Sequence, residues 1–245
     1  MARSENSAFF IGRVISDLES LDQIDGVKFF INTHEEWVNK DGENVSKTYT
    51  HECVVLQQNV KDSIKNQIKK DCLIYISGKI RVTSEVTEKN TNSDSVTIEV
   101  LDFVILKDHE ERKSHPSKSL ISLIGNLGKD PIIRQGKSGN IAKFPMATSE
   151  EKYNKDTQEK ISKTNWHQIV IFNQKLSELA EKYLKKGSKV FVKGRLRPSS
   201  WTDMNGEARN NVEIEVFDFI ILTRANNTNN VSSSSGYSED MDVPF

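Results

Sequence analysis

The sequence predicts a mainly β chain: two tandem copies of one small five-stranded domain, each carrying a single helix, and then a tail unable to pack. Three observations predict it. Val96-Thr-Ile-Glu-Val-Leu-Asp-Phe-Val-Ile-Leu106 and Val212-Glu-Ile-Glu-Val-Phe-Asp-Phe-Ile-Ile-Leu222 are identical at eight of eleven positions. Phe29–Glu36 matches Phe144–Glu151, Ile11-Gly12 matches Ile124-Gly125, and Gly78 matches Gly194, at an offset drifting only from 113 to 116 residues. Each copy, about 105–110 residues long, is a usual domain size. Finally, both copies run through the same series of apolar stretches and turn residues, interrupted once by a helical period.

In the second copy Leu120, Ile121, Leu123, Ile124 and Leu127 mark the first strand. Arg134–Asn140, rich in Gly and polar residues, is a turn. Ile141–Ser149 is the second strand, Glu150–Lys163 a polar loop, and Thr164–Phe172 the third strand. Leu176, Leu179, Ala180, Tyr183 and Leu184 fall at i, i+3, i+4, i+7 and i+8, one apolar face of a helix that Gly187 is expected to end. Lys189–Arg197 and Asn211–Leu222 are the last two strands, joined through the polar stretch Ser199–Asn210. The first copy repeats the order, with Val60, Ile64 and Ile68 on its helix face. The expected boundaries are 1–107 for the first domain, 108–117 for a charged, proline-containing linker, 118–224 for the second domain and 225–245 for the tail. Three strands, a helix and two strands is the element order of an OB-fold, a Greek-key barrel that commonly binds oligonucleotides or oligosaccharides. A sheet-plus-helix α+β domain fits the same string.

Composition removes several function classes. No apolar run approaches the roughly 20 residues of a membrane span, and the start of the chain carries no signal-peptide apolar block, so an intracellular protein is expected. Cys53 and Cys72 lie in apolar runs and are expected to be buried, reduced thiols, since two thiols without His or Cys neighbours make a poor zinc site. Neither metal nor cofactor is expected. Gly136-Lys137-Ser138 lacks the upstream glycine of a phosphate loop, where Pro131 stands, and no nucleophile-elbow or zinc-protease motif occurs. An enzyme is therefore disfavoured. The net charge of −1 conceals an asymmetry: residues 1–117 hold 15 bases against 20 acids, residues 118–224 hold 19 against 12, and the tail holds three acids and no base. A basic second copy is the electrostatic footprint of a polyanion partner.

The chemistry follows from side chains interleaved on that second copy. Trp166, Phe172 and Trp201 stand among Arg134, Lys137, Lys143, Lys152, Lys175, Lys185, Lys186, Arg195 and Arg197. Cations track phosphates while flat rings stack unpaired bases of any sequence, which is what unspecific single-strand binding needs. Phe172 also fits a core aromatic at a strand end. Trp201, between Ser200 and Thr202 in a polar hairpin, is harder to account for as core. The tail is Ser/Asn-rich and cannot offset its ordering entropy by burial. It ends in Asp240, Asp242, Val243, Pro244 and Phe245: carboxylates for a basic rim and an aromatic for a pocket.

At these residues the second copy resembles the bacterial single-stranded DNA-binding protein family. The resemblance is carried by Ile124–Pro131, Ala147–Glu150, Thr164-Asn-Trp-His167, Tyr183–Ser188, Gly194-Arg-Leu-Arg197 leading to Trp201, and the Val-Pro-Phe end. It implies the OB barrel rather than the α+β alternative, single-stranded DNA as ligand, no enzymatic activity, and a tip that recruits replication and repair proteins. It further implies four base-stacking places per domain. Trp166, Phe172 and Trp201 hold three in copy two; the fourth holds Lys152, with Tyr153 beside it as a substitute. Copy one has Trp37 at that fourth place and Thr50, Leu56 and Glu85 at the others. The family's interface histidine corresponds to His51 and His167. Tandem members pair into dimers with four barrels, and a cytoplasmic, nucleoid-associated protein follows. Acidic copy one is thus expected to keep its barrel and packing surfaces while losing much of its DNA surface. A second reading makes it mainly a structural or recruiting protein, with DNA binding secondary.

Overall fold

The computed structural model describes residues 4–21, 24–39, 42–86, 92–106, 117–136, 139–153, 160–202 and 208–224, with side chains throughout except at 84–86, 92–94, 152–153, 200–202 and 208–210. The first copy comprises β1 (Glu5–Val14), β2 (Glu19–Ser20), β3 (Val27–Val38), β4 (Asn44–Val55), α1 (Gln58–Gln67), β5 (Leu73–Val86) and β6 (Asn92–Leu106). The second comprises β7 (Lys118–Leu127), β8 (Ile132–Gly136), β9 (Gly139–Tyr153), β10 (Lys160–Ile171), α2 (Gln174–Tyr183), β11 (Lys189–Thr202) and β12 (Ala208–Thr223).

Each copy closes into a five-stranded barrel. In copy one β1 pairs with β3 and β5, β3 with β4, β5 with β6, and β4 runs parallel to β6 through Cys53 opposite Ile98. In copy two β7 pairs with β9 and β11, β9 with β10, β11 with β12, and β10 runs parallel to β12 through Ile169 opposite Ile214. This is the expected OB arrangement, with the helix between the third and fourth barrel strands. Alternation builds it: β1 shows every second side chain to the core, so Ala8, Phe10 and Val14 are buried while Phe9, Ile11 and Arg13 face outward. Burial of such side chains, at roughly 25 cal/mol per Å² of apolar surface, drives closure.

The barrels share one sheet. β1 and β7 pair antiparallel from Glu5 opposite Ile124 to Ile11 opposite Lys118, so all twelve strands form a continuous hydrogen-bonded order. Among the described residues no helix is long and apolar enough to cross a membrane.

Several local expectations are corrected. The turn expected at Arg134–Asn140 begins inside β8, with Gly136 opposite Gly139. The polar stretches expected as loops are largely extended strand: β9 and β10 pair out to Tyr153 opposite Lys160, and β11 and β12 out to Thr202 opposite Ala208. Backbone pairing needs no apolar side chains, so arms projecting from a barrel lose the alternation by which strands are read. Gly187 does not cap α2, which ends at Tyr183 with Leu184 at the cap. It sits three residues further on at φ 87°, donating its N–H to the Leu127 carbonyl at 2.8 Å. Asp71 occupies the corresponding turn of copy one at φ 69°, bonded to Val14. Leu179 is exposed rather than on the core face, Ser177 being buried in its stead. Cys53 is buried, but Cys72 is only partly so; both are free thiols.

Candidate nucleic-acid interface

The middle of β10 alternates sharply. Asn165 and His167 point inward, leaving Trp166 between them 47 % exposed. Its indole packs close against Gly128: a Cβ there would come within 2.4 Å of the ring. The absence of a side chain at Gly128 therefore leaves room for the half-exposed ring. Two residues on, Asp130 accepts the Lys186 N–H at 2.7 Å and lies 3.4 Å from the Lys185 ammonium. The exposed Lys185-Lys186 turn is thus held at the same end of β7 as Trp166.

Phe172, just beyond β10, is half-buried, and the Arg197 guanidinium sits 4.6 Å over its ring centroid. Such stacking preorganises a cation and a ring together. Arg197 also approaches Glu215 at 3.8 Å. Arg195, expected as a phosphate ligand, is engaged within the chain: it makes a fork with both Glu215 oxygens at 3.0 Å and reaches Glu35 of copy one at 2.5 Å. Lys143 is bound to Glu213 at 2.6 Å. Arg134 and Lys175 are exposed, on β8 and on the first turn of α2. Trp201 has its backbone in β11, opposite Arg209, and Lys152 and Tyr153 theirs in β9, opposite Ile161 and Lys160. The side chains of these three, all of Lys137, and the tip residues Asp240, Asp242, Val243, Pro244 and Phe245 lie outside the described residues.

His51 and His167 are each 2 % exposed, and His51 lines a groove that Leu196 and Pro198 of copy two also line. Their Nε2 atoms pair with the hydroxyls of Thr33 and Thr148 at 2.8 and 2.9 Å, and burial lowers both imidazoles to about 4. Lys61 on α1 is 4 % exposed and paired with Asp25. Trp37, near the end of β3, is 43 % exposed.

Two carboxylates missed by sequence reasoning bind the copies together. Glu150 of β9 bonds Arg81 at 2.9 Å and Lys79 at 3.0 Å in copy one. Glu35 of β3 makes the reciprocal bond to Arg195. Their matched places in the repeat were visible; their partners, 69 and 160 residues away, were not. Phe217, 52 % exposed on β12, was also missed. Its signal was its substitution for Leu101 within the near-identical eleven-residue repeat.

The model of the single-strand binding protein family matches this chain twice, at residues 5–106 and 119–222. A single-stranded DNA-binding protein of Rickettsia conorii is 35 % identical over 127 residues, covering 50 % of this chain and 84 % of the relative. Its counterpart in Rickettsia felis is 36 % identical over the same length and shares. The crystal structure of wild-type single-stranded DNA-binding protein from Thermus aquaticus matches with a TM-score of 0.66 at 18 % identity, over 96 % of this chain and 98 % of that one. That likeness speaks for the tandem-barrel fold.

Proposed function

Because the chain belongs to the single-strand binding protein family, we propose that it binds and protects single-stranded DNA irrespective of sequence in replication, recombination and repair. It acts as a binding protein, not an enzyme, and its tip, Asp240 to Phe245, recruits partner proteins. The observation that carries the reading is the exposed Trp166 indole packed against Gly128, with the Lys185-Lys186 turn at the same end of β7 and the Phe172–Arg197 stack on the same barrel. Rings for bases and cations for phosphates are thereby held on one barrel, on its strands and the short connections between them, so little ordering entropy is lost on binding. Trp201, Arg134, Lys137, Lys143, Lys152, Tyr153 and Lys175 extend that surface.

Two chains pair to give four barrels. Support comes from the outer face of the shared sheet. Phe9 lies opposite Leu120, Tyr75 opposite Val104, and Phe191 opposite Ile220. Val104 and Ile220 are 51 % and 54 % exposed. Exposed apolar pairs of this kind on a sheet face mark an association surface. The reading that copy one, residues 1–107, serves chiefly assembly draws on the same sheet and on the Glu35 and Glu150 contacts.

The experiment is a fluorescence-anisotropy titration of labelled oligo-dT. Trp166→Ala with Trp201→Ala is expected to weaken binding at least tenfold, given roughly 1–3 kcal/mol per stacked base. Trp37→Ala should cost less. Unchanged affinity in the double variant would remove copy two as the main binding surface.

A further inference from the structure

Trp37 and Phe217 belong to neither core, come from different barrels, and line one groove. The groove lies along the seam where β3 of copy one meets β7, β11 and β12 of copy two. Its volume is about 430 Å³, within the roughly 300–1,000 Å³ usual for ligand sites. A break in strand pairing supplies the second ring. Lys193 stands opposite Asp218 and Gly194 opposite Val216, so Phe217 is the extra residue of a β-bulge. Bulges turn a side chain out of the ladder and re-aim it, and they collect beside functional sites.

The rest of the lining suits a nucleotide. Lys118 offers an exposed ammonium, and the hydroxyl residues Ser117 and Ser119 stand beside it. The two acids in the groove have partners: Glu35 binds Arg195, and Glu36 lies 3.2 Å from His34. Ser117 fixes the wall, accepting the His34 N–H at 2.6 Å.

The internal repeat supplies a comparison. By the same offset, the other side of the seam carries Leu101 at its own bulge, where Ser77 faces Asp102 and Gly78 faces Val100. The places of Trp37 and Lys118 there hold Lys152 and Glu5. Only one side therefore carries two rings and a lysine. The barrels are joined by the β1–β7 pairing and by the reciprocal Glu35 and Glu150 contacts, which occur on both sides.

We propose that this seam groove is a composite subsite for single-stranded DNA, in which a base stacks on Trp37 and Phe217 while Lys118 meets the flanking phosphate. It rests on the reading that the chain binds single-stranded DNA. The strand consequently passes from the copy-two surface onto copy one at this point. Neither barrel alone contains the subsite, and Phe217 is a binding residue.

The chain has three tryptophans, so the variant Trp166→Phe with Trp201→Phe leaves Trp37 as sole indole reporter. Titration with long oligo-dT, followed also by anisotropy of the labelled oligonucleotide, is expected to quench Trp37. Adding Phe217→Leu, the side chain copy one carries at its own bulge, should weaken binding about 5- to 100-fold and reduce the quench without lowering the melting temperature. In the wild-type chain, an oligonucleotide carrying 5-iodouracil should photocrosslink to Trp37 or Phe217. Bound oligonucleotide with Trp37 emission unmoved, or crosslinks confined to other residues, overturns the subsite while leaving the parent function intact. Absence of anisotropy change in the wild-type chain instead sinks the parent function, and the subsite with it.

Discussion

At the scale of single residues, the two buried histidines are the most exposed to a change of conditions. His51 and His167 occupy equivalent places, each bonded through Nε2 to a threonine hydroxyl, with no partner at Nδ1 among the described residues. Burial lowers each from 6.5 to about 4. Between those limits the unfolded chain binds protons that the folded chain refuses, so stability present above about pH 6.5 is lost as pH falls toward 4. The loss amounts to about 2 kcal/mol per ring between pH 7 and pH 5. Urea midpoints measured at those two pH values should fall accordingly, and His51→Gln with His167→Gln should flatten the dependence. An equally steep fall in the double variant would place the titration elsewhere, among the paired carboxylates. The sequence paired these histidines through the repeat and, by family resemblance, put them near an interface. Their burial comes from packing with the threonines and, for His51, with Phe10, which no local pattern encodes.

At the scale of elements, the order of strands and helices was legible because duplication prints each pattern twice. A weak strand signal in one copy is supported by its twin, as Val96–Leu106 is by Val212–Leu222. The projecting hairpin arms were illegible, since polar strands leave no period. The seam was illegible too, because its bonds join β3 to β11 and β9 to β5 across most of the chain. Those bonds make an element-level prediction. Arg81 is 8 % exposed and bound to Glu99 and Glu150. For Glu150, burial works to raise the carboxyl, but hydrogen bonds from Lys79 and Arg81 outweigh it and hold it low. Removing that carboxylate leaves buried positive charge undercompensated, which costs about 1–3 kcal/mol. Glu150→Ala should therefore lower the urea midpoint clearly. Glu151→Ala, which breaks only an exposed pair with Lys160 at 2.7 Å, should change stability by no more than about 0.5 kcal/mol. Equal effects would mean the seam contact is no stronger than a surface pair.

At the scale of the whole molecule, the separation of charge and the exposure of apolar surface make different demands. Basic copy two draws in a polyanion, whereas the outer face of the shared sheet needs a covering that a flexible polyanion cannot give. That face runs from Val104 on β6 through Tyr75 and Phe9, whose rings stack at 6.5 Å, to Phe191 and Ile220 in copy two. Because β1 and β7 pair within the chain, both barrels contribute to one surface, and a second chain can meet it with the same surface by two-fold symmetry. Phe191 is the place to test this. It stands opposite both Ile124 and Ile220 on the outer face, so a charge there faces no core residue of its own barrel. Phe191→Asp places two carboxylates close together across the two-fold contact, a geometry that costs far more in association than in folding. Light scattering should give the mass of two chains for the parent and of one for the variant, with similar thermal unfolding of each barrel. Short oligo-dT, spanning one chain, should bind both alike. Long oligo-dT, wrapping four barrels in the parent and two in the variant, should bind the variant more weakly and saturate it at about half the nucleotides per particle. A variant that stays at two chains would move the pairing surface off this sheet.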